Sequence, residues 1–315
     1  MNSVKVGVVG VGHLGTYHLQ KYRLIDGCTV IGVADIDPAH CRTASEEHRC
    51  EAYADHRGLI GKVDAVSIAV PTESHYAVAK DFLEAGVDVL LEKPMTATRE
   101  EADDLIRLAE QSGAVLQVGF IERFNPAIAA LEKVIERPLF IESHRLHPFF
   151  SRGTDVDVVL DLMIHDLDII LHFVKAPPSG VEAVGVSVLS DKVDIANARI
   201  TFRNGSVANV TASRVTNKKM QKIRFFGPEG YHSVDYDQRD LTSFSRRKTD
   251  EGKLEIRQNN VEVENRDPLE MEIREFVDAV ITRRKPAVSG EEGRDALDLA
   301  LLIAERIRQQ GSVRL

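Results

Sequence analysis

The chain has 315 residues, 43% of them hydrophobic, more than one core usually serves, so two domains are expected. A net charge of −9 argues against a surface for nucleic acid or anionic membrane. No apolar run is long enough to cross a membrane and Met1-Asn2-Ser3 leads straight into a strand pattern, so a cytoplasmic enzyme is expected.

In chain order, the run Val4-Lys5-Val6-Gly7-Val8-Val9 flows into Gly10-x-Gly12-x-x-Gly15, and twenty residues later the chain reaches Asp35. That spacing is a dinucleotide fingerprint in context. Gly10 permits the tight strand-to-helix turn, Gly12 lets backbone approach a pyrophosphate, and Gly15 lets the helix lie close on the strand. The turn Gly10-Val11-Gly12-His13-Leu14-Gly15 then presents unpaired N–H groups and a positive dipole end to the diphosphate. The second strand, Thr29 to Ala34, delivers Asp35, whose carboxylate can accept hydrogen bonds from both ribose hydroxyls and repels a 2′-phosphate. Ile36 follows it, with no adjacent arginine, which predicts NAD over NADP. Cys28, Cys41 and Cys50 are odd in number and lack metal-ligand spacing, so reduced structural thiols and no metal are expected.

Strand and helix patterns continue to alternate: a strand over 63–70 ending at Pro71-Thr72-Glu73-Ser74-His75, a helix to Gly86, a strand over 87–91 running into Glu92-Lys93-Pro94, a helix over 99–111 and a strand over 115–120. This predicts a doubly wound parallel sheet. Ligands gather beyond the carboxyl ends of such strands, so Asp35, Pro71, Lys93 and Arg123 are expected at one crevice. Lys93, at the end of a buried strand, suits the stabilisation of a developing alkoxide, although a loop lysine paired with Glu92 fits the same string.

Past Phe120 the pattern changes, predicting domains over 1–121 and 122–315. At the junction, Arg123 and Asn125 of Glu122-Arg123-Phe124-Asn125-Pro126 suit contacts to cofactor or substrate, or equally an interdomain salt bridge and a helix cap. A strand over 139–146 and a helix over 155–174 precede a run of strands over 181–263, most simply an antiparallel sheet. Helical spacing puts Asp161, His165 and Asp168 on one stripe, so that His165 can act as general base and Asp161 can orient the imidazole or a sugar hydroxyl. A structural histidine among solvated acids, Asp155, Asp157 and Asp166, is the plainer alternative. A metal fits less well, for want of a second histidine at a matching interval. Amphipathic helices over 269–284 and 293–310 can cover a sheet or bridge back to the first domain. The basic string Ser245-Arg246-Arg247-Lys248 can reach over a bound nucleotide, but reads more simply as a solvated turn.

The ordered set Gly10-x-Gly12-x-x-Gly15, Val70-Pro71-Thr72 with His75, Glu92-Lys93-Pro94, Arg123 and Asp161-x-x-x-His165 resembles the Gfo/Idh/MocA family, the glucose-fructose oxidoreductases and inositol dehydrogenases. The resemblance implies an α/β two-domain fold: a Rossmann domain followed by an α+β domain with a large open sheet. It also implies oxidation of a sugar-like alcohol by NAD(P), with Lys93, Asp161 and His165 at the catalytic positions and Glu92 and Pro94 shaping the nicotinamide end. Met163 and Ile121 depart from the family's common pattern. Within the family, Glu122 to Pro126 and Asp161 to Asp166 are similar to the branch that oxidises the C3 hydroxyl of UDP-N-acetylglucosamine, whose keto product a pyridoxal-phosphate aminotransferase converts on the way to lipid A. Such a substrate needs cations for its diphosphate, for which Arg123, Arg145, Arg152, Arg214, Lys218 and Lys219 are candidates. A free polyol substrate and a non-catalytic NAD-responsive regulator are the alternatives. A homodimer or homotetramer is implied by the resemblance and by the apolar sheet face it would otherwise leave wet.

Overall fold

The computed structural model describes residues 3–149, 156–228, 230–248, 253–309 and 313–314. Among these the chain divides into two units, Met1–Ile121 with Asp267–Arg294, and Glu122–Arg266 with Asp295–Leu315.

The first unit is built on six parallel strands: β1 (Val4–Val9), β2 (Cys28–Ala34), β3 (Glu51–Tyr53), β4 (Ala65–Ile68), β5 (Asp88–Glu92) and β6 (Leu116–Gly119). Their order, β3-β2-β1-β4-β5-β6, is that of a dinucleotide-binding sheet. Both faces are covered, so the strands are mainly apolar, and all of β4 and β5 is buried. The helices between them are α1 (His13–Tyr22), α2 (Pro38–His48), α3 (Thr72–Glu84) and α4 (Arg99–Ser112). Local chemistry sets their ends. Asp37 caps α2 ahead of Pro38, and a Thr98/Glu101 capping box opens α4, which closes at Gly113. The helix α7 (Pro268–Thr282) joins this unit too, one of the two placements its amphipathic pattern allows, because Leu269, Ile273, Phe276 and Val280 complete the core formed by Val6, Val8, Leu19 and Tyr22. The unit is therefore discontinuous in sequence.

The second unit carries α5 (Pro126–Glu132), β7 (Phe140–Leu146), α6 (Ile164–Val174), then β8 (Pro178–Ser187), β9 (Ile195–Phe202), β10 (Val207–Ser213), β11 (Met220–Phe226), β12 (Gly230–Asp235), β13 (Asp240–Lys248) and β14 (Leu254–Asn259). With β15 (Val313–Arg314), they form among the described residues a nine-stranded sheet of order β14-β13-β12-β11-β7-β10-β9-β8-β15, antiparallel except for β7·β10 and β8·β15. Helix α6 packs on its inner face, where Phe173 meets Phe225 edge-on at 5.2 Å between ring centroids. The last helix, α8, spans Gly290–Gln309. Two expectations are corrected. The string Ser245 to Lys248 is strand, paired in β13 with β14, because its alternation continues the register begun at Asp240. The outer sheet face is also polar rather than apolar across its centre: Glu142 pairs with Arg224 at 2.6 Å, and Asn197 with Thr211 at 2.9 Å. Its aromatic part is a row of half-buried rings, Phe140, Phe226, Tyr231 and Phe244, at one end.

Asp194 holds one corner of this sheet. Its Oδ2 accepts from the backbone N–H of Val188, Leu189 and Ser190 at 2.6–2.9 Å, and its Oδ1 from Ser190 Oγ and Arg214 Nε at 2.7 and 2.9 Å. Burial alone would raise its pKa; the hydrogen bonds from Ser190, Leu189 and Arg214 outweigh it and hold the carboxyl well below the usual range. A carboxyl so depressed stabilises the fold fully above the ordinary carboxylate range, and the contribution is lost as pH falls. Asp194→Asn is expected to cost about 3 kcal/mol near neutral pH, and less in acid, in urea unfolding followed at several pH values.

Candidate active site

In the first unit the glycine turn has the shape its residues require. Gly10 adopts φ +82°, and a Cβ on Gly15 would stand 1.9 Å from the carbonyl oxygen of Gly10. A Cβ on Gly12 would meet nothing within 4 Å, so the space above it is open. That space belongs to a cleft of about 570 Å³ lined by Gly10, Gly12, Asp35, Ile36 and Pro71. Asp35 is ordered before any ligand arrives: Oδ2 accepts from Val11 N at 2.7 Å and Oδ1 from Asp37 N at 2.8 Å. Ile36 is 94% exposed on the cleft's rim. Arg57, also on the rim, lies 2.9 Å from the Asp81 carboxylate and 3.5 Å from that of Asp55. An open amide-lined turn, a preset carboxylate and an apolar slot fit a dinucleotide with a free 2′-hydroxyl.

Two turns at the same carboxyl edge are tied together by His75. Its Nδ1 lies 2.9 Å from Pro94 O and its Nε2 2.9 Å from Val70 O. The ring is buried, and desolvation holds its pKa below the ordinary histidine value against the pull of these two carbonyls. His75, expected among the cofactor contacts, thus lies between the two carbonyls of the turns that bear Pro71, Thr72 and Lys93, and as a neutral ring with a single N–H donates to one of them. Thr72 opens α3, whose N-terminus has no side-chain cap. Glu92 faces inward to His18 Nε2 at 3.1 Å, and Lys93 follows it half-buried.

In the second unit the sequence Asp161 to His165 does not form a uniform α-helix. Residues Val159–Met163 are π-helical before α6 begins at Ile164, which alters the expected stripe, and such wide turns recur at functional sites. Asp157 starts the segment by accepting from the N–H groups of Val159 and Leu160 at 3.0 Å. Asp161 and His165 are half-buried. Asp168 is buried, and Arg123 Nη1 donates to its Oδ1 at 3.1 Å. Asn125 caps α5 through Ala127 N at 3.1 Å and donates to Glu122 Oε2 and Tyr236 O, each at 3.1 Å. Of the two roles its place in the sequence allows, substrate contact or helix cap, the structure shows the cap.

Asp166, read as potentially solvated, is fully buried: Ser143 Oγ donates at 2.7 Å and Arg145 Nε at 2.6 Å. Arg145 Nη1 also donates to Glu122 Oε1 at 2.9 Å, and its guanidinium lies over the Tyr236 ring, 4.8 Å from the centroid. Burial opposes its charge, but Asp166 and Glu122 more than compensate and raise its pKa above the ordinary arginine value. Arg145 and Arg214, candidates for a substrate diphosphate, are both committed to carboxylates of the fold, Arg214 to Asp194. Lys218 and Lys219 are exposed, the latter paired with Asp237. Arg152 and Asp155 lie outside the described residues. The signal that could have identified the anchor is Ser143-x-Arg145, two polar residues on the face of β7 that otherwise points to the core.

Residues 4–120 match the oxidoreductase family with an NAD-binding Rossmann fold, and residues 136–233 match the GFO/IDH/MocA C-terminal domain. The chain is 41% identical over 305 residues to UDP-N-acetylglucosamine 3-dehydrogenase of Acidithiobacillus ferrooxidans, covering 96% of this chain and 97% of that one. A solved structure of that enzyme superposes with a TM-score of 0.91 at 40% identity, covering 98% and 99% of the two chains. Myo-inositol 2-dehydrogenase of Thermotoga maritima is 27% identical, covering 99% and 98%. Among the described residues no helix is long and apolar enough to cross a membrane.

Two outcomes are expected. Arg145→Met removes the guanidinium from the buried Asp166 carboxylate and from half-buried Glu122, and should cost about 3–5 kcal/mol in urea unfolding. Asp35→Ala should weaken NAD binding about tenfold or more and narrow the preference over NADP, read by fluorescence titration of both cofactors.

Proposed function

The chain belongs to the GFO/IDH/MocA oxidoreductase family, and on that premise we propose that it oxidises the C3 hydroxyl of UDP-N-acetylglucosamine, with NAD as acceptor, to a 3-keto sugar nucleotide. The observation that carries this reading is the full-length identity to the Acidithiobacillus ferrooxidans enzyme.

Bound NAD supplies the hydride acceptor. In this reading the amides that follow Val11 in the turn to Gly15 would hold the cofactor diphosphate, and Asp35 would accept from the adenosine ribose. His165 takes the hydroxyl proton as the hydride leaves the same carbon. The ammonium of Lys93 stabilises the oxygen as charge develops on it. Asp161, one turn before His165, orients the imidazole or a neighbouring sugar hydroxyl, and Arg123, restrained by Asp168, flanks the site. A ketone at C3 is the substrate form that amino transfer requires, so the product suits a pyridoxal-phosphate aminotransferase that makes a 3-amino sugar for lipid A. The chain assembles as a homodimer or homotetramer in the same reading.

Incubation with NAD and UDP-N-acetylglucosamine is expected to give NADH absorbance and a product lacking two hydrogens, and with an aminotransferase coupled to draw off the ketone, a sugar nucleotide carrying an amine in place of the C3 hydroxyl. No turnover under coupling, or turnover of free inositols alone, refutes the substrate. His165→Ala and Lys93→Met should each lower turnover about 10²- to 10⁴-fold and leave NAD affinity within about threefold, as measured by titration.

A further inference from the structure

On the face of the parallel sheet covered by α1 and α7 lies a polar cluster that the proposed chemistry does not use. His18 of α1, Glu92 at the end of β5 and Glu272 of α7 place one ring nitrogen and two carboxylate oxygens within 4.8 Å of one another. His18 and Glu272 are fully buried and Glu92 is 8% exposed. The neighbouring strand makes room for them: a Cβ on Gly119, the register partner of Glu92, would stand 2.7 Å from Glu92 Oε1. The remaining walls are polar and mostly engaged, although Gln117 Oε1 accepts no hydrogen bond. Tyr22 OH meets Ser67 Oγ at 2.7 Å, Ser67 Oγ meets His18 Nδ1 at 3.1 Å, and Gln117 Nε2 donates to the backbone oxygen of Glu272 at 3.3 Å. Glu275, one helical step on, adds negative charge to the same region. Neither carboxylate oxygen of Glu272 accepts a hydrogen bond.

Two carboxylate anions within this cluster, away from water, repel each other, and while Glu92 has His18 Nε2 at 3.1 Å, Glu272 has no donor to offset its desolvation. A single proton between them removes one charge and converts the repulsion into a donated hydrogen bond, the arrangement that adjacent buried carboxyls adopt elsewhere. We infer that Glu272 is a positioning residue of the active strand end: it shares one proton with Glu92, and the pair, seated against His18, fixes the backbone from which Lys93 projects. Burial first, then the charges of Glu92 and Glu275, hold the Glu272 carboxyl well above the ordinary range, in keeping with this role. The groups that face the pair are His18 and Tyr22 from α1, Ser67 from β4, Gln117 from β6 and Glu275 from α7. Glu92 is the last residue of β5 and Lys93 the next, so freedom at the Glu92 carboxyl becomes rotation at Lys93.

The inference rests on the reading of Lys93 as the group beside the reactive oxygen, so the test has one arm that is independent of activity. Infrared difference spectra of wild type and Glu272→Gln at neutral pH are expected to show the carbonyl stretch of a protonated carboxyl that the variant lacks. Its absence, or a stoichiometric metal ion found in the wild type and lost in E272Q, overturns proton sharing. In the kinetic arm, Glu272→Met is expected to lower kcat about tenfold or more, with the KM for the sugar nucleotide and the NAD affinity changed less than about twofold, and E272Q to recover most of the loss. Wild-type kcat in E272M, or an equal fall in E272Q, overturns the positioning role. The spectra need only wild type and E272Q, so they decide even where E272M does not fold. Full turnover in Lys93→Met would instead overturn the reading of the site and leave the infrared signal in place.

Discussion

A charge buried away from water must find a partner, and this protein places such partnered carboxylates directly beside the side chains proposed to react. Glu92 precedes Lys93 and is seated against His18 of α1 and Glu272 of α7. Asp166 follows His165 and is held by Ser143 and Arg145 of β7. A side chain whose neighbour in the chain is clamped from another element cannot turn without breaking that clamp, which is costly in a dry interior. Reactive groups thereby acquire a defined direction from the residue beside them in the chain.

The dinucleotide turn works by the opposite economy. Its glycines open space over the backbone at the carboxyl edge of the sheet, and the cleft beside them is lined mostly by small and apolar residues, with Asp35 preset by Val11 N. The buried His75 ring fills the space between two of the neighbouring turns and donates to one of their carbonyl oxygens, which stiffens the edge although the turns themselves are short. Preorganisation of this kind lowers the ordering cost that binding would otherwise incur.

The second unit distributes its charges between two sheet faces. The inner face carries Ile141, Ser143 and Arg145 toward α6, whereas the outer face carries Glu142 and His144. Alternation along one strand thus supplies both the anchor for the helix bearing His165 and a polar exterior. The buried residues Arg145 and Arg214 show how readily a cation in sequence suggests a ligand when its partner is a carboxylate of the fold.

Element order, the strand-turn-helix of the glycine loop and the acid at the end of β2 were legible from the chain, because each depends on neighbours within a few residues or on simple periodicity. The same holds for Lys93, Asp161 and His165 as candidates, and for the α5 cap at Asn125. What the chain could not show was which acids are buried: Asp161, Asp166 and Asp168 stand close together in sequence, yet Asp166 and Asp168 are taken up by arginines from β7 and from the turn before α5. Nor could it show that Glu272 and His18, separated by most of the chain, share one pocket with Glu92. Periodicity records which face of an element is apolar, but the identity of a polar group's partner is decided only when two faces meet, since pairing depends on distances that the linear order of residues does not contain.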